Sequence, residues 1–144
     1  MKTLLMIMAI VPFTSITWLN DFDQAKEQAK DNNKMILLNF SGSDWCAPCI
    51  KMKKEIFETE QFQEFADANL VLVRADFPRT KKNQLDARQR EHNERLAEQY
   101  NPNGQFPLTL LLDSNGNVKQ AWDGYSHMPV DAFIDQVRSK SNGK

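Results

Sequence analysis

Three short apolar runs punctuate the chain: Met35-Ile36-Leu37-Leu38-Asn39-Phe40, Leu70-Val71-Leu72-Val73 and Leu108-Thr109-Leu110-Leu111-Leu112. Runs this short are strands rather than core helices, which need about ten residues or more. Ser41-Gly42-Ser43 ends the first, and Ser114-Asn115-Gly116-Asn117 follows the third. The latter is a hairpin turn, because Asn-Gly accepts the positive φ values that tight hairpins demand. Residues 118–122 then form the returning strand. The intervening stretches repeat apolar residues every three or four positions, as amphipathic helices do. Phe22, Ala25 and Ala29 make one such stripe. Cys49, Met52 and Ile56 make a second, in a helix running from Cys46 to about Phe57. Phe62, Phe65 and Ala66 make a third, with Thr59 placed to cap it. Val130, Phe133, Ile134 and Val137 make the last, and Pro129 suits its first position, where a missing N–H costs nothing. The order is α-β-α-α-β-α-β-β-α. Strands alternating with helices form a three-layer α/β/α sandwich with parallel members in its sheet, and the final hairpin adds an antiparallel pair.

With 144 residues the chain makes one domain. A composition of 41% hydrophobic and 26% charged residues excludes disorder. A formal net charge of −1 gives no electrostatic basis for a nucleic-acid or anionic-membrane partner. Two cysteines are too few for a disulfide scaffold or a four-cysteine zinc site. His92 and His127 lack the spacing that would complete a zinc site with Cys46 and Cys49, so no metal is expected. At the N-terminus, Lys2 precedes an apolar run over residues 4–13, and Thr14, Ser15 and Thr17 follow. That pattern reads as a signal peptide over residues 1–17, with the folded domain at 18–144. The run is too short to span a bilayer as a helix. An uncleaved anchor or a buried N-terminal strand is the alternative reading. A secreted protein works where disulfides persist.

The chemistry lies in Trp45-Cys46-Ala47-Pro48-Cys49, directly after the first apolar run. With a helix starting at Cys46, two intervening residues bring both sulfurs within disulfide reach. Free N–H groups at the helix start favour thiolate over thiol at Cys46, and the thiolate is the nucleophile. Cys49 lies one turn in, more shielded, as a resolving thiol. Ala47 and Pro48 support the motif, with Pro48 stiffening the first turn. The preceding strand places the pair at the C-terminal edge of the sheet, where α/β proteins build sites.

Taken together these residues resemble the thioredoxin-like proteins, and more narrowly the secreted ones of bacteria. The resemblance rests on the Cys motif after its strand, the strand at 70–76, Gly104-Gln105-Phe106-Pro107 opening the strand at 108–112, and Asn115-Gly116 with Gly124 before the last helix. It covers about residues 20–140. It implies a thiol–disulfide oxidoreductase in which Cys46 attacks and Cys49 resolves. Pro107 would be a cis-proline facing the disulfide, and Trp45, Phe106 and Pro107 would line the substrate surface. Burial in the core is the competing reading for Phe106. The implied partners are protein disulfide substrates and a membrane or soluble thiol electron donor. The implied protein is periplasmic, monomeric and free of cofactors.

Two departures from the family stand out. Thioredoxins proper carry a buried Asp on the strand before the motif, as proton acceptor for the resolving cysteine. Asn39 is its nearest counterpart, and an amide accepts no proton at neutral pH. Asp44 belongs to a connecting loop that is one residue longer and is expected to be exposed. The stretch 77–98 is also long, with six Lys or Arg and four Asp or Glu. It reads as a solvated loop and helix, with a docking insert as the alternative. Ala47-Pro48 between the cysteines lacks the His of strong oxidants, which favours a reductant or isomerase-like exchanger. A net oxidant and a non-catalytic binding module of the same fold are the rival functions.

Overall fold

The computed structural model describes residues 16–141, so nearly all of the expected leader at 1–17 lies outside the described residues. Alternation along the strands determines the layers. Successive side chains of a strand point to opposite faces, and here both faces are apolar. Met35 and Leu37 of β2 (Met35–Ser41) join Leu70 and Leu72 of β3 (Leu70–Asp76) and Leu111 of β4 (Leu108–Leu112) on one face. Ile36, Leu38, Phe40, Val71, Val73, Leu108 and Leu110 occupy the other.

Helices cover both faces. The first is packed by α2 (Ala47–Met52), α3 (Glu60–Asn69) and α5 (Val130–Ser141), through Met52, Phe62, Phe133 and Val137. The second is packed by α1 (Phe22–Asp31) and α4 (Ala87–Tyr100), through Phe22, Ala25, Ala29 and Leu96. With β1 (Trp18–Leu19) and β5 (Val118–Asp123) the sheet has the order β1-β3-β2-β4-β5. β2 runs parallel to β3 and antiparallel to β4, and β4–β5 is the antiparallel hairpin. The fold is the thioredoxin-like three-layer sandwich with a mixed sheet. β2 lies at its centre, and every residue of it is buried.

The structure corrects four local expectations. β1 pairs with β3 through Trp18 and Leu19, a strand too short to show a period. The motif helix is not one continuous α-helix: α2 passes at Lys53–Phe57 into a π-helical turn, which buries Ile56 and Phe57 together. At the hairpin only Gly116 takes a positive φ, of 88°, while Asn115 does not. The Asp113 carboxylate organises that turn instead, accepting from the backbone N–H groups of Asn115 and Asn117 and from the Asn117 amide. Slight burial raises the Asp113 pKa, but these donors outweigh it and hold it down at about 2. Pro129 sits one position before α5, its carbonyl accepting the first helical bond from Phe133.

The caps at Asp21, Thr59 and Asp86 each accept a backbone N–H of their helix. Phe133 anchors the motif-helix layer, with its ring 5.0 Å from Trp122 and 6.1 Å from Phe62. Phe133→Ala is expected to cost about 3–5 kcal/mol. Guanidinium unfolding of the oxidised protein measures this, and a loss under about 1 kcal/mol would contradict the packing described.

Candidate redox site

β2 ends at Ser41, and the chain turns through four residues, 42–45, before Cys46 caps α2. Cys46 is extended, with φ −91° and ψ 99°, and its Sγ accepts the backbone N–H of Cys49 at 3.3 Å. Cys46 and Cys49 form a disulfide with a Cα–Cα distance of 5.2 Å. Ala47 and Pro48 are exposed above it. In this oxidised state both cysteines are buried, 4% exposed for Cys46 and 5% for Cys49, so exposure does not distinguish attacking from resolving sulfur. The Gly42 N–H points at Cys49 Sγ from 3.5 Å, and the Cys49 N–H serves Cys46. Each sulfur therefore faces a backbone donor, which lowers the cost of negative charge on it.

Trp45 holds this turn in place. Its Nε1–H donates to the Phe77 carbonyl at 2.7 Å. Its ring meets Phe106 edge-on at 5.5 Å, and the Arg79 guanidinium covers it at 3.6 Å. Gly42 lies so close that a Cβ there would fall 2.3 Å from the indole Cε2. The Phe106–Pro107 peptide is cis, and Pro107 is buried. Phe106 is half-buried, between the substrate-surface and core readings, with its ring also against Phe77 at 5.4 Å. The loop before Phe106 is clamped by buried Asn101, whose side chain both accepts from Gln105 N–H and donates to Gln105 C=O at 2.8 Å. Asn101 was not legible as a site residue; its only signal is a position between a helix end and Pro102.

Under α2, Asn39 is buried and donates to Thr109 Oγ1 at 3.1 Å, and Thr109 donates on to Met52 Sδ at 3.7 Å. Arg74 stands opposite Asn39 in the ladder, with its guanidinium 4.1 Å over the Trp18 ring. Burial lowers the Arg74 pKa. An amide, a hydroxyl and a guanidinium thus make up the polar row across this face of the sheet.

Asp44 is not a free loop residue. Its carboxylate accepts the N–H groups of Arg79 and Thr80 at 2.9 Å and the Asn83 amide at 3.0 Å. The Arg79 N–H, then the Asn83 amide, hold its pKa far below the ordinary carboxylate value. The charged stretch 77–98 therefore divides: residues 77–83 are fastened to the redox loop, and α4 carries the rest. His92 Nε2 accepts the Phe22 N–H at 3.3 Å, and His127 Nδ1 lies 3.5 Å from Glu55. Among the described residues no three His, Cys, Asp or Glu side chains are grouped to hold a metal ion.

The Thioredoxin-like family model matches residues 17–114. Disulfide bond reductase DsbH of Chlamydia pneumoniae is 35% identical over 125 residues, covering 87% of this chain and 72% of DsbH. Thioredoxin-related protein DsbJ of the same organism is 31% identical over 98 residues, which is 68% of this chain and 27% of DsbJ. The solved structure of a DsbH oxidoreductase superposes with a TM-score of 0.82 at 30% identity, covering 100% of this chain and 96% of that one.

Two measurements check the site's construction. Gly42→Ala forces the indole aside and is expected to cost about 1–3 kcal/mol. In a Trp45→Ala background the same change should cost little, because the clashing ring is gone. Equal costs in both backgrounds would contradict the contact. Asp44→Asn should speed hydrogen exchange at the Arg79 and Thr80 amides. Because folding lowers the Asp44 pKa, the stability its anchoring adds is full above the unfolded value of about 4, declines as pH falls below it, and is gone only once pH passes the depressed folded value. Unchanged exchange in the variant would contradict the anchor.

Proposed function

The chain belongs to the thioredoxin-like family, and we propose that it acts as a reducing or isomerising thiol–disulfide exchanger on protein disulfides, with Cys46 attacking and Cys49 resolving. The observation that carries this reading is the Cys46–Cys49 pair at the start of α2, with a backbone N–H directed at each sulfur. The 35% identity to a disulfide bond reductase supports the direction. So does Ala47-Pro48 between the cysteines, which places no cationic side chain there to stabilise the reduced form.

In the dithiol form the Cys46 thiolate attacks one sulfur of a substrate disulfide. The substrate S–S bond breaks, one substrate thiolate leaves and takes a proton, and a mixed disulfide joins Cys46 to the substrate. Cys49 then attacks the Cys46 sulfur, releases the second substrate thiolate and closes the internal disulfide. Two electrons pass to the substrate, and a thiol donor must return them. Cys49 has to lose its proton for the second step. The groups below it, Asn39 and Thr109, cannot accept that proton, so the departing substrate thiolate or water takes it. The Gly42 N–H stabilises the resulting charge on Cys49.

Trp45, Phe106 and Pro107 form the substrate-facing wall, and an extended segment would pair with the backbone beside the sulfurs. The apolar run at residues 4–13 marks a leader that directs the chain across the inner membrane to the periplasm, with the working domain at 18–144. Among the described residues no helix is long and apolar enough to cross a membrane. In an oxidising compartment a reductant needs an outside electron donor, membrane-bound or soluble.

Insulin reduction with dithiothreitol as donor tests the activity. Turnover is expected for the wild type and its loss for Cys46→Ser; equal turnover in both would contradict the role of Cys46. Equilibration with glutathione tests the direction. A potential nearer about −270 mV is expected, and one near about −120 mV would make the protein an oxidant.

A further inference from the structure

Resting on the proposed exchange reaction, the geometry points to a cationic rim at residues 79–82 that selects protein substrates carrying an acidic residue beside the disulfide-bonded cysteine. Trp45 precedes Cys46, so whatever covers its ring lies at the edge of the reacting pair. What covers it is the Arg79 guanidinium, 3.6 Å from the ring centre. The wall beside Cys46 therefore presents a cation where a bare indole would present an apolar face. Stacking on an aromatic face leaves guanidinium N–H groups free to bind a carboxylate in the plane of the fork.

Three observations make this a built feature rather than a passing surface charge. The Asp44 carboxylate grips the backbone at Arg79 and Thr80 and the Asn83 side chain, so both ends of the Lys81–Asn83 turn are tied to the loop that carries Cys46. The indole N–H donates to Phe77 C=O, which fixes the start of the same segment. Arg79, Lys81 and Lys82 are all exposed, and among the described residues none of them has an ion-pair partner. The two carboxylates of the rim are already engaged. Asp44 is spent on three N–H donors, and Asp76 accepts the N–H and hydroxyl of Ser43. Three cations against two bonded carboxylates leave the rim net positive, on a chain whose formal net charge is −1.

The test uses two cyclic disulfide peptides, identical except for Glu-Glu or Gln-Gln next to one cysteine, reduced by the full chain with dithiothreitol as donor. The ratio of kcat/KM for the acidic over the neutral peptide is compared between wild type, Arg79→Gln and the double variant Lys81→Gln/Lys82→Gln. The peptides' own reactivities, and any effect of Arg79 on the Cys46 thiolate, cancel in that comparison. The wild-type ratio is expected to exceed the Arg79→Gln ratio by about threefold. The double variant should lower it as well, and the differences should vanish near 1 M NaCl, where the screening length is about 3 Å. Equal ratios in all three proteins would overturn the inference. So would an Arg79→Gln change that slows both peptides alike, because Arg79 would then only position Trp45. Reduction of neither peptide by the wild type would overturn the exchange reading and this inference with it.

Discussion

One indole holds the redox site together. β2 is buried along its whole length, so its direction is set by the core, and the chain has only residues 42–45 in which to turn before α2 begins. Trp45 makes that turn rigid by pressing on Gly42, meeting Phe106 and hydrogen-bonding to Phe77 C=O. Three separate segments, the β2–α2 loop, the chain after β3 and the loop before β4, are thereby held to one side chain. Displacing that ring would shift the Gly42 N–H that faces Cys49 and the Phe106 ring packed against it. Exchange chemistry needs sulfurs and substrate backbone in a fixed relation, and packing around a half-buried aromatic provides it with little conformational freedom to lose.

The polar row under α2 explains how this region differs from a thioredoxin proper. A buried carboxylate would act as base for the resolving cysteine, at the cost of desolvating a charge. Here Asn39 donates to Thr109 and Thr109 donates on to Met52, so no carboxylate is buried at that place. Backbone donors take over the electrostatic work, with Gly42 serving Cys49 and the start of α2 serving Cys46. Such donors lower the energy of a thiolate but move no proton themselves. In the proposed mechanism the resolving step then depends on the leaving thiolate or on water.

Much of this was legible in the sequence because the signals are local. The apolar runs at 35–40, 70–73 and 108–112 are strands, the stripes around them are helices, and Cys46 and Cys49 stand where a helix follows a strand. Pro107 is cis, as the resemblance implied. Most of the failures share a cause: they concern contacts between segments distant in sequence. β1 is two residues long and is stabilised only by pairing with β3. Asp44 looked like loop decoration because its partners lie 35 to 39 residues away. The stretch 77–98 is the solvated loop and helix its mixed charge suggests, but nothing in that pattern shows that the loop part is fastened to Asp44 and Trp45. Asn101 clamps Gln105 within its own loop, but nothing in the local pattern separates it from any helix-ending Asn.

The central claim is the division of labour between the two sulfurs, and trapping the mixed disulfide tests it most directly. Cys49→Ser and Cys46→Ser are each incubated with a disulfide-bonded protein and analysed intact by mass spectrometry without reductant. Cys49→Ser is predicted to accumulate a covalent adduct through Cys46, because nothing remains to resolve it, while Cys46→Ser forms none. An adduct through Cys49 in the Cys46→Ser variant, with none in Cys49→Ser, would contradict the account.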